Sequence, residues 1–207
     1  MRPSLKQYIE QEILPRYDHF DSAHRRDHAE QVMRESVRLA ALHGAREELA
    51  YTIAAYHDTG LVAGRELHHI HSGEIIRADQ RLREWFTEEE IALMAEAAED
   101  HRASSDHAPR TLYGQIVAEA DRTIEPLMIL RRTVQYGLTH YPMLTREEHY
   151  NRFLGHLLEK YAEGGYLRLW IADPGKEQRL GELRALIRDR EQLRTTFEQL
   201  FQQETER

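Results

Sequence analysis

Residues 46–58 constrain this chain more than any other segment. They are Ala-rich and apolar nearly all round, which suggests a buried helix, yet they end in the adjacent pair His57-Asp58, with Gly60 just beyond. An imidazole and a carboxylate in a segment suited to a core need partners, because an unpaired buried charge is very costly. A divalent cation satisfies both at once. Successive side chains on a helix diverge by about 100° around its axis, so the two can embrace a cation lying between their directions. A hydrogen-bonded His-Asp pair in a helix cap is the plainer alternative, and for a lone dipeptide it is the better one.

The rest of the sequence reads as helix after helix. Leu5, Tyr8, Ile9, Ile13 and Leu14 recur at helical spacing until Pro15, which is expected to end the run. Val32, Met33, Val37, Leu39, Ala40 and Leu42 line one side of a helix over 27–42, with Asp27 as its expected cap and Gly44 as its end. Amphipathic segments follow at 70–84 and 87–101, and Thr87 with Glu90 fits a capping box. Residues 102–110 form a polar loop, 111–121 return to helix, and further helices are expected at about 125–137, 146–163 and 178–203, with 164–175 as a long irregular connection. No segment alternates with the two-residue period of a sheet. The expected fold is all-α, and a chain of 207 residues buries a substantial core without staples. The apolar stripe of the final helix must pack on the body or on a partner, which admits a homodimer.

Composition narrows the chemistry. Cysteine is absent, so thiolate and Cys-based metal chemistry is excluded. Any metal must sit on His, carboxylate, carbonyl and water ligands, and 13 histidines are present. Lys+Arg is 28 against 36 Asp+Glu, a net charge of −8. That balance disfavours a nucleic-acid polymer and an anionic membrane surface as partners. No apolar run is long enough to span a bilayer, and MRPSLKQYIEQEIL has no signal-peptide pattern. The expected location is the cytoplasm.

Against this background His57-Asp58 is not alone. His28 lies on an earlier helix, and Asp121 ends a later one after Ile116-Val117-Ala118. Three helices thus offer two imidazoles and two carboxylates, a mixed N/O set that suits Mn²⁺, Fe²⁺ or Mg²⁺ and leaves Zn²⁺ or Ni²⁺ open.

The order His … His-Asp … Asp resembles the HD superfamily of metal-dependent phosphohydrolases. His24 and His28 resemble the family's paired histidines at i, i+4, with apolar Val32 after them, and His57-Asp58-Thr59-Gly60 resembles its HDxG form. The likeness covers about residues 20–125. It implies an HD-domain helical bundle over that core, with 126–207 as a helical extension packed on it in a single domain. It also implies hydrolysis of a nucleotide or small phosphoester through metal-activated water. Binuclear members resemble HD…HxxxG…H…D. Here His69 stands four before Gly73 and His101 precedes Asp121, which makes both expected ligands of a second ion, with Asp58 bridging. The alternatives are a solvent-facing loop for His69 and a helix-dipole contact for His101. Asp100 is the expected partner that orients the His101 ring.

Arg102 and Arg122 flank expected ligands, and a guanidinium there suits bidentate phosphate contact; a structural ion pair is the equal alternative. His24 is a candidate substrate contact, Lys160 a more distant one, and Glu66 or His68 candidate proton donors to the leaving group. Leu61 and Val62 stand where some HD nucleotidases and alarmone hydrolases carry an acid, and the Lys and GYP signature of cyclic-dinucleotide hydrolases are missing. Two other functions fit the same ligand order: a di-iron oxygenase and a non-catalytic ligand-sensing module.

Overall fold

The computed structural model describes residues 1–21, 24–103, 105 and 107–206. Among them ten α-helices and no strand are found, so the chain is all-α. No helix among the described residues is long and apolar enough to cross a membrane. The chain forms two compact units, Met1–Arg122 and Thr123–Arg207.

The first unit holds α1 (Pro3–Tyr8), α2 (Arg26–Leu42), α3 (Glu47–Tyr56), α4 (His68–Ala78), α5 (Glu88–Glu99) and α6 (Leu112–Asp121). Helix α3 is its centre, packing against α2, α5 and α6, while α4 lies on α5. Ile53, Ala54, Ala55 and Tyr56 at the end of α3 are fully buried, as expected of a helix apolar on all sides. Gly44 ends α2 with a positive φ, and the Ala45 N–H bonds back to the Ala40 carbonyl at 2.8 Å. That six-to-one bond is the glycine-dependent C-terminal cap the sequence suggests. The Thr87–Glu90 capping box is present at the start of α5.

Three local expectations fail. Pro15 does not stop the first run: α1 passes through a π-turn (Ile9–Ile13) into a 3₁₀ turn (Leu14–His19). Pro15 sits at the start of that turn, where its missing N–H costs nothing. Asp27 is not the cap of α2; Arg25 occupies that place without a side-chain bond, and Asp27 lies in the first turn. The segment at 70–84 is α4 plus a separate 3₁₀ turn (Gln80–Glu84). Asp79 divides them, accepting a hydrogen bond from the Arg81 N–H. Of the expected loop at 102–110, Ser104 and Asp106 lie outside the described residues.

The second unit comprises α7 (Pro126–His140), α8 (Arg146–Lys160), α9 (Pro174–Arg188) and α10 (Arg190–Thr205). Leu130, Phe153, Leu157, Leu183, Leu193 and Phe197 form its core. The single helix expected over 178–203 is two helices. Asp189 leaves the helical conformation and accepts the Gln192 N–H, so it closes α9 and caps α10.

Candidate metal centre

Every expected metal ligand lies in the first unit, Lys160 lies in the second, and the fold gathers four of the ligand candidates tightly. The Nε2 atoms of His28 and His57 are 3.3 Å apart. Asp58 Oδ2 lies 3.6 Å from the first and 3.2 Å from the second. Asp121 Oδ1 lies 3.1 Å from His28 Nε2 and 3.8 Å from His57 Nε2. Donors bonded to one ion at about 2.0–2.2 Å stand roughly 2.8–3.6 Å apart at octahedral or tetrahedral angles. Four of these separations fall within the edges of such a polyhedron, and the His57–Asp121 separation lies just above them.

A second group shares the same aspartate. Asp58 Oδ1 is 3.4 Å from His68 Nε2 and 3.4 Å from His101 Nε2, and those two nitrogens are 3.2 Å apart. His28, His57 and Asp58 form one set with metal-ligand geometry; Asp58, His68 and His101 form the other. The two carboxylate oxygens of Asp58 thus face different histidine pairs.

The rings are oriented by their own helices. The Nδ1–H of His57 donates to Ala54 O at 2.7 Å, that of His101 to Ala98 O at 2.6 Å, and that of His68 to Arg65 O at 2.8 Å. Each bond runs from residue i to the carbonyl at i−3, at a helix end or in a turn. Fixing the proton on Nδ1 leaves the Nε2 lone pair as the ligating face. Three Nε2 atoms converging beside carboxylates favour positive charge among them, whether a proton or a divalent ion. This donor set fits a divalent ion.

The electrostatics agree. Burial raises Asp58, but the charge of His57 and hydrogen bonds from His101 and His28 hold it well below the usual carboxylate range. Burial likewise raises Asp121, yet His28 and His57 bring it down to about 2. Burial lowers His28, while its bonds to Asp121 and Asp58 raise it to about 10. Two ionised carboxylates thus make the cluster strongly attractive to positive charge.

His68, expected as a proton donor, joins the second group where His69 was the expected ligand. His68, the first residue of α4, reaches Asp58 and His101; His69 belongs to neither metal-type group. The cause is the glycine of the HxxxG pattern. Gly73 faces Glu99, where a Cβ would stand 2.6 Å from Oε1, so the helix face shared by His69 and Gly73 is turned to α5. His69 Nδ1 is buried without a hydrogen-bond partner. Gly60 explains how His68 arrives: a Cβ there would lie 2.0 Å from the His68 carbonyl oxygen and 2.5 Å from Ser72 N. Only glycine lets α4 approach the His57-Asp58 turn so closely.

Asp100 does not orient His101. Its carboxylate takes the Arg110 backbone N–H at 2.7 Å and the Arg110 Nε at 3.0 Å, and the Ala98 carbonyl holds the ring instead. Arg122 is buried, 3.8 Å from the fully buried Glu119. Arg102 donates from Nη1 to Glu66 O at 2.7 Å, and the Glu66 residue itself is exposed. His24 bonds Asp21 through Nδ1 at 2.9 Å, and its Nε2 lies 3.4 Å from Arg65 Nη2.

Two supporting residues escape sequence reasoning. Tyr17, fully buried, donates its hydroxyl to Ala55 O at 2.9 Å and accepts the Asp58 N–H at 3.3 Å. It thereby fixes the turn that presents Asp58. Its only signal is an aromatic residue just after Pro15. Arg110, at the end of a polar loop, ties Asp100 and Glu99 together, and its side chain gives no periodic signal.

No curated protein and no solved structure matches the chain. A family model does, described as HD domain and spanning residues 25–124, the stretch that supplies every histidine and aspartate of the two groups. Residues 25–124, all-α and holding the clustered His28, His57, Asp58 and Asp121, are thus an HD domain.

Proposed function

We propose that this protein is a metal-dependent phosphohydrolase acting on a nucleotide or another small phosphoester. The observation that carries the reading is Asp58, whose two oxygens face His28 and His57 on one side and His68 and His101 on the other. Such a carboxylate suits two ions bridged by one residue. His28, His57, Asp58 and Asp121 would hold the first, and Asp58, His68 and His101 the second. Divalent ions there supply Lewis acidity toward a phosphoryl oxygen and an activated water; Mn²⁺, Fe²⁺ and Mg²⁺ suit the oxygen-rich first set.

The chain's own residues then divide the remaining work. The carbonyls of Ala54, Arg65 and Ala98 keep three imidazoles in the Nδ1–H form, which aims them without supplying a transferable proton at Nε2. In this reading His68 acts as a ligand, not as the leaving-group acid. Arg65, Arg102 and His24 stand at the more exposed side, and their donors suit an anionic substrate. Arg122, held on Glu119, supports α6 and so the placement of Asp121.

Metal analysis of protein purified without chelator, followed by a nucleotide and phosphoester panel, tests the proposal. Phosphate release should disappear on chelation and return with Mn²⁺ or Fe²⁺. A metal-loaded protein without turnover on any member would instead indicate a ligand-sensing module. The bridged four-histidine arrangement also suits a di-iron oxygenase. A mixed-valence iron signal with substrate-dependent oxygen uptake would replace the hydrolase reading by that one.

A further inference from the structure

The second unit contains a cavity of about 380 Å³ between α7 and α8, lined in part by Arg132, Thr133, Tyr136, Arg152, His156 and Tyr161. Its lining includes two guanidiniums and an imidazole and no carboxylate. In a chain with a net charge of −8, such one-sided concentration is unexpected. Elsewhere in this unit arginines stand on acids, as Arg131 does on Glu204 and Arg194 on Glu147.

Arg152 shows the consequence most clearly. Its Nη2 donates to the Thr133 carbonyl, its guanidinium lies 5.7 Å from the Tyr136 ring centre and 5.8 Å from that of Tyr141. Its Nε is buried without a hydrogen-bond partner. Rings and a single carbonyl spread its charge but do not neutralise it. Burial lowers the pKa of Arg152. His156, one turn along α8, is also lowered, by burial first and then by the charges of Lys160 and Arg152. Glu159 opposes this from outside the lining, and the cationic groups of the lining itself, Arg132, Arg152 and His156, cost stability unless an anion joins them. The Thr133 hydroxyl donates to Ile129 O at 2.8 Å, which leaves its lone pairs for a donor. The rings of Tyr136 and Tyr161 offer flat apolar faces beside the charge.

We propose that this cavity is a second binding site, separate from the histidine–aspartate cluster, for a small organic anion with a planar group. A phosphate or carboxylate would take the Arg132 and Arg152 guanidiniums bidentately, and the planar group would lie on the tyrosines. The proposal is independent of the hydrolase reading, so either can fail alone.

The experiment is calorimetric titration of the full, metal-depleted chain with phenyl phosphate, and with inorganic phosphate as the ring-free comparison. Phenyl phosphate should bind at one site, more tightly than inorganic phosphate. Arg132→Glu should weaken it by roughly 10- to 100-fold, the loss of a charge-assisted contact. Arg152→Gln should do the same, whereas Asp58→Asn should leave it unchanged. If Arg152→Gln does not fold, the exposed Arg132 carries the test. Unchanged affinity in Arg132→Glu, no heat at millimolar ligand, or affinity lost in Asp58→Asn alone would overturn the proposal.

Discussion

The two units solve opposite electrostatic problems. In the first, Asp58 and Asp121 stay ionised among imidazoles whose Nε2 atoms turn toward them, and the cluster favours positive charge. In the second, Arg132, Arg152 and His156 line a cavity without a carboxylate, and the site lacks a negative one. Both arrangements are costly to fold in isolation. A fold that keeps such a cost keeps it where a ligand removes it. The difference teaches which ligand: the sign of the missing charge follows from the donors, and the geometry decides whether it is a point or an extended group. Donor spacings near 3.2 Å leave room for an ion; about 380 Å³ with two tyrosines leaves room for a molecule.

The strongest way to break this contrast is to remove the shared carboxylate. Asp58→Ala should empty both metal positions together and lower phosphohydrolase activity at least about a thousandfold, since it removes positioning and charge stabilisation at once. Metal content and turnover of the purified variant check it. Retention of half the parent metal would mean that the two histidine pairs do not share Asp58.

Gly60→Ala should come next. The new Cβ would overlap the His68 carbonyl at 2.0 Å, so α4 must withdraw from the His57-Asp58 turn. We expect loss of the His68–His101 position with the His28–His57 position kept, and a thermal stability loss of about 1–3 kcal/mol from overpacking. Titration with Mn²⁺ followed by calorimetry distinguishes one site from two. His68→Ala should reproduce the metal loss without the stability loss, and His69→Ala should reproduce neither.

Those variants also mark what the sequence made legible. The helical character was readable from periodicity, and motif spacing picked out His28, His57, Asp58, Asp121 and His101, whose side chains the fold brings together. The His68–His69 assignment was not readable. Adjacent helix residues differ by about 100° of direction, and which one faces Asp58 depends on Gly73 meeting Glu99 and Gly60 meeting α4, contacts between distant segments. Asp100 misled for a related reason: its true partner, Arg110, lies ten residues away across a loop. The break at Asp189 was hidden because the leucines and phenylalanines of α9 and α10 continue one apolar pattern across it.

Arg122 sharpens the contrast from within the first unit. It is a cation next to Asp121, yet it is buried beside Glu119. Arg122→Ala removes that charge from a buried carboxylate, and stability should fall by about 3 kcal/mol. Chemical denaturation measures this. In the proposed hydrolysis, KM of the folded variant should stay near the parent value while metal affinity weakens through α6 and Asp121. A rise in KM at unchanged metal content would make Arg122 a substrate contact after all.

The smallest effect concerns protons in the second unit. His156 titrates below its ordinary value because of burial, then Lys160 and Arg152; His149 does so because of burial, then Arg152. A histidine with a depressed folded pKa favours folding above its unfolded pKa, near 6.5, and loses that contribution as pH falls. Their contribution to the stability of the second unit should therefore fall between pH 7.5 and 5, while His28, held at about 10, acts in the opposite sense in the first unit. His156→Gln should reduce that fall by about 2 °C in unfolding temperature, within what a fraction of a kcal/mol produces in a chain of this size. An anion in the cavity places negative charge beside His156 and opposes the effect. Phenyl phosphate should flatten the pH dependence of the parent and leave that of His156→Gln nearly unaltered. If the ligand flattens both equally, it acts away from His156, and the second unit's missing negative charge is supplied somewhere other than this cavity.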